Sequence, residues 1–184
     1  MFVKKILFAT AASAAILAAS PAFAQSAPTG VAGPRVEAIV GYDSVKSFGE
    51  TDDGVLYGVG AGYDVALSPG VSLGADVEAS KSTIKEEIGT EEVRAGRDLY
   101  AGGRATFGIS DRANVFVKAG YTNARFKYDG TLGNFADNVE GYRLGAGAQF
   151  ALSGKGYVGG EVRHSRYDDD LKRNQAVLTL GTRF

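Results

Sequence analysis

Few residues in this chain are typed and spaced for chemistry. His164 is the only histidine, and Ser165 follows it directly. A serine beside an imidazole suggests a nucleophile with its base. On an extended strand, however, neighbouring side chains point to opposite faces, so His164 is expected as a surface histidine at the rim of a strand and Ser165 as its turned-away neighbour. Asp168-Asp169-Asp170 offers oxygen ligands for a divalent cation. Three consecutive acids in a polar connection read more simply as solvated charge, and so do Glu86, Glu87, Glu91 and Glu92. Lys81, Lys85, Lys172 and Arg173 could touch phosphates at a surface, but solvated surface charge is the plainer reading of each one singly. There is no cysteine, hence no thiol nucleophile, disulfide or Cys-ligated zinc. The glycines precede no helix and so form no phosphate-binding loop. The expectation is no catalytic, cofactor or metal site.

The remaining charges follow a rule. Glu37, Asp76, Glu78, Arg104, Lys118, Arg143, Glu161, Arg163 and Arg183 each occupy one face of a segment that alternates apolar and polar residues. Such period-two patterning marks strands. Val55, Tyr57, Val59, Ala61, Tyr63 and Val65 oppose Leu56, Gly58, Gly60, Gly62 and Asp64. The pattern recurs near 36–43, 71–80, 98–109, 114–121, 142–150, 158–163 and 176–184, giving eight strands. Connections after the even strands are short: Ala66–Gly70, Ser110–Ala113 and Ala151–Gly156. Those after the odd strands are longer and polar: Ser44–Asp53, Lys81–Val93, Asp129–Asn138 and Tyr167–Asn174.

The chain has 184 residues, 20 Lys+Arg against 21 Asp+Glu, and 26 Gly, all after Ala24. Near-neutral charge argues against a nucleic-acid partner. Lys4 and Lys5, an apolar run, and Ala22-Phe23-Ala24 before Gln25 form a secretory leader at residues 1–24. Residues 25–34, with Pro28 and Pro34, read as a flexible lead-in, and residues 35–184 as a single domain.

Which face points inward decides the class. Glycine weakens a solvated strand, yet the polar face is rich in it, interleaved with long charged side chains. That mixture suits a narrow, filled lumen, as in an eight-stranded barrel. The apolar face then meets lipid, where closure satisfies every backbone polar group. Phe107, Phe150, Phe184 and Tyr63 fall near one end of this face, and Tyr42, Tyr57, Tyr121 and Tyr142 near the other, as interface belts do. The expected fold is all-β, an eight-stranded antiparallel up-and-down transmembrane β-barrel with four long outer loops and three short periplasmic turns. Its inner charges must pair, with Arg104, Arg143 and Arg163 sharing Glu78 and Glu161.

The chain resembles the small outer-membrane β-barrel proteins of the OmpA and opacity-protein type, on its alternating Gly-rich strands and its last residues, Leu178-Thr179-Leu180-Gly181-Thr182-Arg183-Phe184. The resemblance implies the outer membrane of a Gram-negative bacterium, with outer-membrane lipids and lipopolysaccharide as surroundings. It also implies that Leu178, Leu180 and Phe184 form the signal read by the barrel-assembly machinery, although Thr182 stands where an aromatic is common. A wall-anchoring role, which some members have through a peptidoglycan-binding domain, is not part of the expectation. The expected role is structural or surface-interacting, through an external partner of the loops. A narrow passive porin-like channel is the alternative. A lipid-modifying enzyme is the weaker one, because the lipid A deacylase pattern separates His and Ser by two and this chain does not.

Overall fold

The structure is a computed structural model that describes residues 31–47, 50–88, 91–130, 133–152, 154–168 and 171–184. The expected leader and the first part of the lead-in lie outside the described residues. Alternation becomes β1 (Gly33–Ser47), β2 (Glu50–Ser68), β3 (Val71–Ser82), β4 (Lys85–Ile88), β5 (Glu91–Gly108), β6 (Ala113–Gly130), β7 (Gly133–Ala151), β8 (Gly156–Tyr167) and β9 (Lys172–Arg183). β3 and β4 both pair with β5 and are two parts of one stave, interrupted at Thr83 and Ile84. The staves therefore number eight. Each pairs antiparallel with the next, and β9 returns to β1 to close the barrel.

Two sequence boundaries are corrected. The long outer connections continue the ladder: Ser47 pairs with Glu50, Ile88 with Glu91 and Gly130 with Gly133, while Tyr167 N–H donates to Leu171 O at 3.0 Å. Four extended hairpins replace most of the four expected loops, and Glu86, Glu87, Glu91 and Glu92 belong to one of them. The reason is that loss of the apolar alternation does not end a strand whose backbone is still paired; it ends only the stretch that meets lipid. The lead-in also gives up Gly33 and Pro34, which pair with Asp64 and Tyr63. At the other end the turns are tight. Gly70 has φ 75° and Gly154 φ 71°, the left-handed region that favours glycine.

The registers fix the geometry. The ladder row leaving Lys46 runs through Lys172, Arg166, Tyr142, Tyr121, Ala101, Val77 and Ala61, and returns to β1 at Val36. Position 46 therefore comes back to position 36, a shear of 10. With standard strand spacings this gives a tilt of about 41° and a radius of about 8 Å. Correcting for that stagger brings Tyr42, Tyr57, Tyr121 and Tyr142 within about 3 Å of one height, with Tyr63, Phe107, Phe150 and Phe184 about 20 Å below. All eight rings face outward and are exposed. The interval is close to the roughly 25 Å apolar band of such barrels. Tyr121 and Tyr142 lie mid-strand in β6 and β7, so both strands continue well past the belt.

Candidate functional site

The inward face is mostly polar. Among the described residues, Glu37, Asp43, Asp64, Asp76, Glu78, Asp98 and Glu161 point inward, and so do Arg35, Arg104, Lys118, Arg143, Arg163, Arg173 and Arg183. Seven acids thus face seven bases. All but Arg183 are buried. Apolar side chains interrupt it: Ile39, Leu56 and Val177 pack together on the β1, β2 and β9 wall, Phe116 lies under the Arg104 guanidinium, and Val45 and Ala124 are buried nearer the outer end.

The ion pairs form three tiers. In the inner tier, nearest the short turns, Arg35 reaches Glu37 at 3.2 Å, Asp64 at 3.4 Å and also Asp76. Arg104 Nε meets Asp76 at 3.1 Å and its NH1 lies 3.5 Å from Glu37. Tyr157 O–H donates to Glu37 at 2.7 Å, and Arg183 covers the Tyr157 ring at 4.4 Å. In the middle tier, Lys118 bridges Glu78 and Glu161, the latter at 3.0 Å. Arg163 spans the same two carboxylates, at 2.9 Å from Glu78 and 3.0 Å from Glu161. In the outer tier, Asp98 receives Arg143 at 2.5 Å, Arg173 at 2.8 Å and the Thr122 hydroxyl at 2.7 Å. Arg173 also makes a two-pronged contact to Asp43 at 2.7 and 2.5 Å. Such forked contacts are the strong ones, because both donors lie in one rigid plane.

Glycine makes room for this. A Cβ on Gly62 would collide with the Arg35 guanidinium, and one on Gly145 with Glu161 and the Lys118 stem. Bulk at one inward position requires its absence at the neighbour, since interiors are close-packed.

The structure gathers Glu37, Asp76, Glu78, Arg104, Lys118, Arg143, Glu161 and Arg163 in the lumen and puts Arg183 at its inner mouth, but it redistributes the pairs. Arg104 does not share Glu78 and Glu161. It lies four residues along β5 from Tyr100, the residue opposite Glu78, and finds Asp76 instead. Arg143 reaches along the lumen to Asp98 in the outer tier and stays 3.9 Å from Glu78. Shear decides this, because the tilted ladder moves each strand's charges to a different height. Arg173, read as a surface cation, is buried in the lumen. Continuing the β9 alternation inward from Val177 through Gln175 reaches it. Asp43, Asp64 and Asp98 already sat on the polar face in sequence, and Arg35 lies just before the first predicted strand.

His164 faces outward and is exposed, its Nδ1 2.8 Å from Asn174 Oδ1. Ser165 faces inward, fully buried, and accepts from Arg143 Nε at 2.9 Å. The barrel wall separates them. Asp168 is exposed, and Asp169 and Asp170 lie outside the described residues. Leu178, Leu180 and Phe184 all point outward, more than 60% exposed, in one line along the outer surface of β9 and the C-terminus.

A family model described as outer membrane protein beta-barrel domain matches residues 9–184. No curated protein matches the sequence. Among solved structures, Ail, the attachment invasion locus protein of Yersinia pestis, superposes with a TM-score of 0.65 at 18% identity over 84% of this chain and 100% of that one. Neisserial surface protein A does so with a TM-score of 0.65 at 13% identity over 83% and 97%. The N-terminal β-barrel domain of Pseudomonas aeruginosa OprF gives 0.56 at 15% identity over 84% and 99%. These likenesses establish a shared fold.

Proposed function

We propose, from the premise that this chain belongs to the outer membrane protein β-barrel family, that it is a structural and surface-interacting component of that membrane, with a closed lumen. The carrying observation is the lumen itself. Seven acids and seven bases interlock at three heights, and the charged ends of the middle tier are essentially without solvent contact. A conducting pore of this size would need a wetted, unobstructed path, whereas these pairs occupy the space that ions would use. The extended hairpins then carry whatever contact the protein makes outside the cell. One superposing barrel, Ail, has a name that speaks of attachment. The role is read as non-enzymatic because His164 and Ser165 stand on opposite sides of the wall.

A liposome-swelling assay tests this reading. Vesicles carrying the folded protein are expected to swell in small sugars no faster than empty ones. Swelling that rises with protein content supports the channel instead.

The last strand carries the proposed assembly signal. Removing Phe184 is expected to slow insertion and lower the yield of heat-modifiable protein. The aromatic is the final outward side chain of the line formed with Leu178 and Leu180, and Phe184 N–H also donates to Pro34 O at 3.0 Å where the barrel closes. An unchanged folded yield would remove Phe184 from that role.

A further inference from the structure

We propose that the inner mouth of the barrel binds a small organic monocarboxylate from the periplasmic side. A cavity of about 290 Å³ opens there, between the β5–β6 turn, the β7–β8 turn and Val31 just before β1. Its polar side chains are mostly donors. Arg183 is the most exposed of the seven lumen bases, with 15% of its side chain open. Three contacts hold it in place: Gln149 Oε1 at 2.9 Å, Asp64 at 3.7 Å and the Tyr157 ring at 4.4 Å. Asn114 lies directly across the ladder from Gln149 and lines the cavity. It is only 8% exposed, and its side chain has no hydrogen bond among the described residues. Ser110 Oγ already accepts from the Arg112 and Ala113 N–H groups, at 3.4 and 3.1 Å. Its hydroxyl hydrogen is left for an outside acceptor. Lys155 completes the set from the other turn, where its carbonyl receives the Arg183 N–H at 3.1 Å.

Four donor side chains thus share the cavity with one carboxylate, Asp111. A planar guanidinium beside an amide suits the two oxygens of a carboxylate. The charge balance sets how much negative charge the site takes. The lumen acids offset Arg183, and Asp111 offsets Lys155, so the cavity recognises an anion by hydrogen-bond geometry and not by surplus positive charge. A phosphate dianion has no second cation to meet. Val31 and Ala151 add an apolar wall, which matches a short hydrocarbon tail behind the carboxylate. The ligand goes no further, because Arg35, Asp76 and Arg104 fill the lumen beyond. This is binding at the mouth and not passage. It goes beyond the surface role proposed above, which uses the opposite end of the barrel.

The test is nitrogen-15 NMR of the mature chain folded in detergent micelles. Sodium butyrate is expected to shift the side-chain amide of Asn114 and the guanidinium of Arg183 saturably. Butyramide, of the same size without the charge, should leave both in place. Inorganic phosphate at equal ionic strength should bind at least about tenfold more weakly than butyrate, and Arg183→Gln should weaken butyrate by at least about the same factor, the loss of one charge-assisted hydrogen bond. Arg112→Gln, in the same turn as Ser110 but with its side chain outside the cavity, should bind butyrate as the parent does. Should Arg183→Gln not fold, Lys155→Gln carries the comparison, since Lys155 lies outside the lumen network. No saturable shift with butyrate, or equal butyrate affinity in parent and variant, overturns the site. Butyramide bound as tightly as butyrate overturns anion recognition, and phosphate bound as tightly overturns the monocarboxylate assignment. Failure of the closed lumen is read separately, in the swelling of vesicles.

Discussion

Replacing Glu78 with Ala is expected to cost the folded barrel about 3–5 kcal/mol, the range for leaving a buried charge without its partner. Glu78 receives both Lys118 and Arg163, the latter at 2.9 Å, and its own side chain is only 4% exposed. Removing it leaves two cations in a lumen with no water surface to turn to. Glu161 then remains to serve both, 3.0 Å from each. Asp111→Ala in an inner turn is the control, because Asp111 is exposed. Its loss should be nearly silent in the same urea titration in lipid. Equal midpoints for the two variants would remove the buried network from the account. A Glu78→Gln variant refines the reading: it keeps the packing and hydrogen-bond acceptor but not the charge, so it should fall between the parent and Glu78→Ala.

The second large effect lies on the outer wall. Ala146 sits between Val117 and Val162 on the neighbouring strands, midway between the two aromatic belts once the stagger is applied. Ala146→Arg is expected to cost about 2–4 kcal/mol, the midplane cost for a cation on the lipid face of such a barrel. Ala101 is a revealing companion. It falls near the middle of its strand in the sequence, but the register sets it opposite Tyr121, about one residue's rise below the outer belt. An arginine there can lift its charge to the headgroups, so Ala101→Arg should cost about 1 kcal/mol or less, as near the interfaces of such barrels. Folding titrations of both variants in vesicles measure the difference. Identical costs would contradict the heights derived from the shear.

These two cases show what the sequence carries and what it does not. Alternation alone is enough to place Glu78 inward and Ala146 outward, because the period of a strand is two and one slip would turn every side chain over. Gly62 and Gly145 were legible for the same reason: small residues on a charged face imply neighbours that need the room. Partner choice was not legible. Arg104 meets Asp76, and Arg143 meets Asp98, because a shear of 10 offsets strands that sequence can only treat as parallel lines. Arg173 was misread because its segment looks like a polar loop. Outside the membrane the apolar alternation is lost, so the contrast that reveals a strand disappears although the backbone pairing continues. The same loss of contrast hid the hairpin extensions beyond Tyr121 and Tyr142.

The apolar face of this barrel meets lipid while the charged face fills its lumen. Since the chain has no tryptophan, a Val77→Trp variant provides a single emitter on that face. Val77 is 55% exposed, with Ala61 and Ala101 as its neighbours across the ladder, so the larger ring has space. Its height is close to the middle of the two belts. In vesicles of lipids brominated at successive acyl positions, its emission is expected to be strongly quenched, most of all by bromines deep in the chains. Emission that no brominated lipid quenches, with the barrel folded, would contradict it.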